Sequence, residues 1–144
     1  KINFYIIAVC LIPLFAAVIK PLYAAQQYQK GISFFTAQKY SVSYDYYLSA
    51  LNNDCLNPEY ASKMSDNYFA LYQTTKNDIN LNNAVEYEKY ALSLNRYNAK
   101  YYAQLAWLYN FSGEKELASE YISKAVEIDK FNELYLQAYG ELIY

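Results

Sequence analysis

Apolar residues recur at intervals of three and four along most of the chain, and the recurrence breaks at short polar stretches: TAQK, NNDCLNP, TKNDINLN, LNRYN, FSGEK and DKFN. A period near 3.6 predicts helices of roughly 12 to 18 residues between those breaks. Val and Ile thin out after residue 20, so little favours strands, and three Gly and three Pro leave long uninterrupted elements. The expected fold class is all-α.

The first stretch, KINFYIIAVCLIPLFAAVI, departs from the amphipathic pattern. Between Ile2 and Ile19 the only clearly polar side chain is Asn3, with Lys1 and Lys20 bracketing the run. At about 1.5 Å per residue such a helix reaches roughly 27 Å, enough for a thin bilayer. Residues 1–23 are therefore expected to form a transmembrane-like helix kinked at Pro13, with Pro21 marking a second bend, ahead of a separate array over residues 24–144. Lys20 and Pro21 in the cleavage region disfavour a removed signal peptide.

The later segments resemble one another. YYLSALNNDCLNPEY, KYALSLNRYNAKYY and KAVEIDKFNELYL are each read as an aromatic or Ile, then Ala, then Leu or Val, then a polar turn containing Asn, then another aromatic. These read as three copies of one joint between helices. Repeats of about 34 residues predict stacked helix pairs, each too small to bury its own apolar face.

In the best copy, YYAQLAWLYNFSGEKELASEYISKAVEIDKFN, the spacing resembles the tetratricopeptide repeat. Tyr102, Leu105, Ala106 and Tyr109 match first-helix positions, Gly113 the tight turn, and Ala118, Ile122 and Ala125 the second helix. Lys130 stands where the repeat usually closes with Pro, and Asp129 and Asn132 remain to cap the next helix. The first copy matches at Gly31, Phe34, Ser43, Tyr47 and Ala50, with Gln38 in place of the turn glycine. The middle copy ends at Ala91, Leu92 and Leu94. Its closing Asn98 lies 41 positions after Asn57, about seven more than standard, and the surplus is assigned to a longer first helix and the TTKNDINLN loop. The resemblance covers residues 24–144 and implies about three helix pairs, an α-solenoid, and a terminal helix NELYLQAYGELIY.

Composition narrows the chemistry. The chain has 144 residues, net charge −2 and no basic cluster, so a nucleic-acid partner is not expected. It has no histidine, Cys10 and Cys55 form no CxxC pair, and Asp and Glu are scattered at helix surfaces. No catalytic residue, metal site or cofactor is expected, and the chain reads as a non-enzyme. Twenty tyrosines are the anomaly. They are expected mainly in the core and between repeats, with carbohydrate stacking as the competing use. Asn110-Phe111-Ser112 fits an N-glycosylation acceptor.

Three functions compete. The first is a structural subunit, processed or truncated because the chain begins with Lys rather than Met. Its leader residues Ile6, Ile7, Leu11, Leu14, Phe15 and Ile19 are expected to bundle into a filament core, while Leu136, Tyr139 and Ile143 offer a seam for the next subunit. That architecture is similar to type IV pilins, although Tyr5 stands where pilins carry Glu and no β-rich head follows. Its partner is a second copy of the chain, with the membrane as host before assembly and the cell surface or exterior as destination. In the second reading, the joint KPLYAAQQYQKGISFFTAQKYSVSYDYYLSAL followed by repeats resembles the C-terminal end of bacterial O-antigen ligases and polymerase-like membrane proteins. This implies an accessory region of a glycan-assembly enzyme whose catalytic residues lie elsewhere. The third reading is a peptide-binding adaptor, in which Lys30 and Lys39 are too few for the clustered cations of carboxylate-clamp repeats.

Overall fold

The computed structural model describes the backbone of residues 4–143 and the side chains of residues 17–142. Among them are seven helices and no strand, as the periodicity predicts. The chain divides into two compact units, Lys1–Cys55 and Leu56–Tyr144.

In the first unit, α1 (Phe4–Thr36) packs antiparallel to α2 (Tyr40–Asn53). Ala24, Gln27 and Gly31 are buried along one face of α1 at helical spacing, and α2 buries Ser43, Tyr47, Ala50 and Leu51. Gly31 is needed for its lack of a side chain: a Cβ there would meet the Tyr47 ring at 2.5 Å. Tyr28 and Phe35 close on the same ring, with centroids at 6.0 and 6.4 Å, and Phe34 stacks on Tyr46 at 5.2 Å.

Helix α1 runs through the expected boundary after residue 23. It continues as one helix past Pro21 into the first repeat, and Ala24 is already buried in its packing face. No described helix is long and apolar enough to cross a membrane. The run from Ile2 to Ala16, on which the transmembrane expectation chiefly rests, lies outside the described side chains.

The second unit holds two further pairs, α3 (Pro58–Thr75) with α4 (Asp78–Leu94) and α5 (Ala99–Ser112) with α6 (Lys115–Ile128), and then α7 (Glu133–Ile143). The surplus of the middle repeat is not in a loop. Helices α3 and α4 have 18 and 17 residues where α5 and α6 have 14 each, and only Lys76 and Asn77 separate α3 from α4. Each helix of the middle pair has gained about one turn, close to the 3.6-residue period, which keeps its buried face in register.

One backbone device closes all three pairs. Gln38, Lys76 and Gly113 follow the first helices with φ of 58°, 55° and 86°, the left-handed conformation that ends a helix by turning an N–H back onto its last carbonyls. Lys39 N–H reaches Phe34 O at 2.9 Å, Lys76 N–H reaches Tyr72 O at 2.7 Å, and Glu114 N–H reaches Tyr109 O at 2.9 Å. Glycine is the unstrained choice there, so two of the three turns carry a small backbone cost.

Asparagine opens α3, α4, α5 and α7. The side-chain oxygens of Asn57, Asn77 and Asn98 accept from the N–H two residues on, at 3.1, 3.0 and 3.0 Å. Asn132 accepts from Tyr135 N–H at 3.4 Å, which realises the cap expected in the absence of the closing Pro. Between the helices, Phe69, Leu81, Ala84, Val85, Leu105, Leu108, Tyr109 and Ala118 form one buried cluster, and Ala99, Ala106, Ile122 and Ala125 another.

Candidate functional site

The first helices of the second unit, α3 and α5, lie side by side, and α7 follows against α5 and α6. Polar side chains link α3 to α5 across this face. Lys100 donates to both carboxylate oxygens of Glu59 at 3.2 and 3.0 Å, Lys63 donates to Asp66 at 2.6 Å, and the Gln104 amide donates to Asp66 at 3.3 Å. Below them Ser62 Oγ sits 3.2 Å from Gln104 Oε1 and 3.4 Å from Glu88 Oε1.

Glu88 is the chemical outlier. Its residue is 0% exposed, and Oε2 has no hydrogen-bond partner. Burial, reinforced by the neighbouring Asp66 charge, pushes its carboxyl up to about 7, against the hydrogen bonds of Ser62 and Ser65 and the charge of Lys100. A buried carboxyl lacking a full set of donors is cheaper neutral than charged. Burial works against the charge on Lys63, but the hydrogen bond and charge of Asp66, with Glu59 and Glu88 behind it, outweigh this and raise its pKa.

Further along the same face the chemistry turns aromatic. Phe69 is buried between the edge of Trp107, at 4.3 Å between centroids, and Phe111, at 5.0 Å, with Tyr72 5.7 Å from Phe111. Trp107 and Phe111 remain 50% and 46% exposed. Beside Trp107 an open cavity of about 280 Å³ runs between α5, α6 and α7, lined among others by Asn110, Lys115, Ala138, Glu141 and Leu142. Rigid rings held half-exposed beside a concave surface have the geometry that binding anchors use.

Gly31, Tyr47, Ala50, Ala91, Leu105, Ala106, Tyr109, Ala118, Ile122 and Ala125 are all buried, Phe34 is half-buried, and Gly113 occupies its turn. Tyr102 packs on the Ala99, Ala106, Ile122 and Ala125 cluster while only half-buried, and its neighbour Tyr101 takes the interior place at 2% exposure. Of the expected assembly residues, Ile6, Ile7, Leu11, Leu14, Phe15 and Ile143 lie outside the described side chains, while Ile19 and Leu136 are exposed. Tyr139 packs on the Ala99, Ala106, Ile122 and Ala125 cluster of its own chain rather than facing outward. Lys30 and Lys39 lie in the first unit over the Tyr46 and Phe34 rings. The face shared by α3 and α5 carries its own lysines, Lys63 and Lys100, which no local sequence pattern singles out.

Chains of known structure place this arrangement. The fold is similar to the first tetratricopeptide domain of Spaghetti (RPAP3) bound to an HSP90 peptide, with a TM-score of 0.74, 20% identity, and coverage of 85% of this chain and 91% of that one. It is also similar to the Arabidopsis OM64 tetratricopeptide domain, with a TM-score of 0.73, 14% identity and coverage of 86% and 97%. The Yersinia enterocolitica type III secretion chaperone SycD, in complex with a peptide of the translocator YopD, matches with a TM-score of 0.68, 13% identity and coverage of 82% and 85%. The tetratricopeptide-like fold is thereby shown. No protein-family model and no curated protein matches the chain, so the resemblance to O-antigen ligases gains no support from either.

Proposed function

We propose that the chain is a non-enzymatic protein-interaction module that holds a segment of a partner protein along the shared face of α3, α5 and α7. The observation that carries this reading is the pair Trp107 and Phe111, half-exposed on a buried Phe69 and bordering an open cavity. Exposed large aromatics cost solubility and are common at binding anchors. Three of the structurally similar proteins are complexes with peptides by their own descriptions, which supports the same use of the fold here.

The partner differs from a segment held only by its carboxylates. Lys63 and Lys100 are already engaged by Asp66 and Glu59, so their charge is largely spent within the face. Apolar anchoring by Trp107 and Phe111 therefore provides most of the affinity. Nothing among the described residues favours filament assembly over this reading, since most leader residues lie outside them and Tyr139 packs within its own chain.

Trp107 is the single tryptophan, so its fluorescence reports on the site directly. Peptides selected on the full chain from a random library should shift Trp107 emission on binding. Trp107→Ala should weaken them at least about tenfold, the loss of a typical aromatic anchor, at a temperature where the variant remains fully folded even though uncovering Phe69 lowers its melting temperature. Selected peptides that leave the emission unchanged and bind Trp107→Ala equally well would rule out this face.

A further inference from the structure

A second concave site lies among the second helices, and the interaction face does not use it. A cleft of about 380 Å³ opens between the C-terminal half of α4, the turn after it, and α6. Three cations border it from three separate elements: Lys89 on α4, Arg96 in the turn and Lys124 on α6. In a chain of net charge −2 with only twelve Lys and Arg, this gathering stands out.

The floor is aromatic and rigid. Tyr121 stacks on Tyr109 with centroids 5.4 Å apart and planes 20° from parallel, and Tyr102 lies 6.3 Å from Tyr121. Lys124 Nζ sits 5.5 Å from the Tyr121 centroid and Lys89 Nζ 5.9 Å from that of Tyr109, so both ammonium groups flank the stack. Leu92 completes the apolar wall.

Two of the cations already have acidic partners, which an incoming dianion must displace. Lys89 pairs with Glu86 at 2.9 Å, and Lys124 pairs with Glu120. Both pairs lie within one helix turn and in solvent, where such contacts contribute little and exchange readily. Arg96 is exposed and makes no ion pair among the described residues.

We propose that this cleft binds a phosphate monoester, with Lys89, Arg96 and Lys124 around the phosphate and Leu92, Tyr102 and Tyr121 against its organic part. A carboxylate brings one charge and is satisfied by a single guanidinium fork. A phosphate monoester carries close to two charges at neutral pH and three acceptor oxygens, which matches cations converging from three directions. The Tyr102 and Tyr121 rings line the cleft, which favours an aryl or similarly flat carrier. A phosphorylated tyrosine side chain and a free aryl phosphate share this chemistry.

Amide NMR of the full chain at low salt, titrated with phenyl phosphate, inorganic phosphate, benzoate and a short phosphotyrosyl peptide, tests it. Phenyl phosphate should produce saturable shifts over residues 89–96, 102 and 121–124. It should bind at least about tenfold more tightly than inorganic phosphate or benzoate, and added salt should weaken it markedly. Tighter binding of the phosphotyrosyl peptide would assign the source to a polypeptide, and equal binding to the aryl phosphate alone. Arg96→Gln with Lys124→Gln should abolish the shifts at an unchanged melting temperature, and Arg96→Gln alone should weaken them. Lys30→Gln with Lys39→Gln should leave them intact. Absent or unsaturable shifts, benzoate binding as tightly as phenyl phosphate, or undiminished binding by the double variant would each overturn the proposal.

Discussion

Ser62 Oγ lies 3.4 Å from the carboxylate oxygen Oε1 of Glu88, and this contact joins the exposed polar row of α3 and α5 to the interior of the middle repeat. Glu88 occupies the place in α4 that Tyr47 holds in α2 and Ile122 in α6. The spacing Ala84, Glu88, Ala91 repeats Ser43, Tyr47, Ala50 and Ala118, Ile122, Ala125. All three central residues are at most 2% exposed. A carboxyl thus sits where the other pairs bury a large apolar or aromatic side chain.

Stability of the second unit should fall as pH rises from about 4.5 to about 7. The Glu88 carboxyl has an ordinary value of 4.5 and a folded value of about 7. Below 4.5 both folded and unfolded chains carry the proton. Between the two values only the folded chain does, so rising pH favours unfolding, and above about 7 the loss is complete. The linked destabilisation is about 3 kcal/mol. Glu88→Gln should recover much of it, raising the melting temperature at pH 8 while changing little at pH 4.5. A variant whose pH profile parallels that of the parent would show that Glu88 does not titrate in this window.

Gly31→Ala should destabilise the first unit by about 1–3 kcal/mol, because the added methyl group would meet the Tyr47 ring at 2.5 Å and that ring is almost fully buried. Pairing it with Tyr47→Leu should restore part of the loss, which thermal melts of the single and double variants would measure. Gly113→Ala tests a different cause. Its surroundings are open, so any loss there, about 1–2 kcal/mol, comes from the left-handed backbone alone.

Ala118→Leu should cost about 1–3 kcal/mol through overpacking, since Ala118 is fully buried within the cluster formed by Leu105, Leu108 and Tyr109. Chemical denaturation would show the change in midpoint with little change in slope. An unchanged midpoint would place Ala118 away from the helix crossing.

Tyr101 and Tyr102 should separate cleanly. Tyr101→Ala removes an interior ring and should cost about 3–5 kcal/mol, as large-to-small changes of buried aromatics do. Tyr102→Ala removes a half-buried ring and should cost about 1–2 kcal/mol by the apolar area it uncovers. Equal losses in a paired denaturation experiment would mean the two side chains share the interior.

The sequence by itself determined the helices, their pairing and their joints. Periodicity near 3.6 marks α2 to α7. The Asn at 57, 98 and 132 announces each new pair because its side chain can satisfy an orphan N–H at a helix start. Small residues at 106, 118 and 125 mark close crossings, since only they let helix axes approach. These signals are local and need no knowledge of a partner element.

Only the tertiary structure decided which polar residues face inward and which aromatics face out. Glu88 reads as one more surface charge until α3 and α5 close over it, although its spacing from Ala84 and Ala91 was a legible sign of a core position. Tyr102 reads as a packing residue, yet the neighbouring helices cover Tyr101 more fully, and Trp107, which no local pattern singles out, stays half in solvent. Lys89, Arg96 and Lys124 are spread over 36 positions of chain and gather only because α4 and α6 belong to adjacent pairs. Periodicity fixes which residues share a face of one helix. Which faces are covered, and which charges meet, depends on how the next pair docks, and that is set by packing between elements distant in sequence.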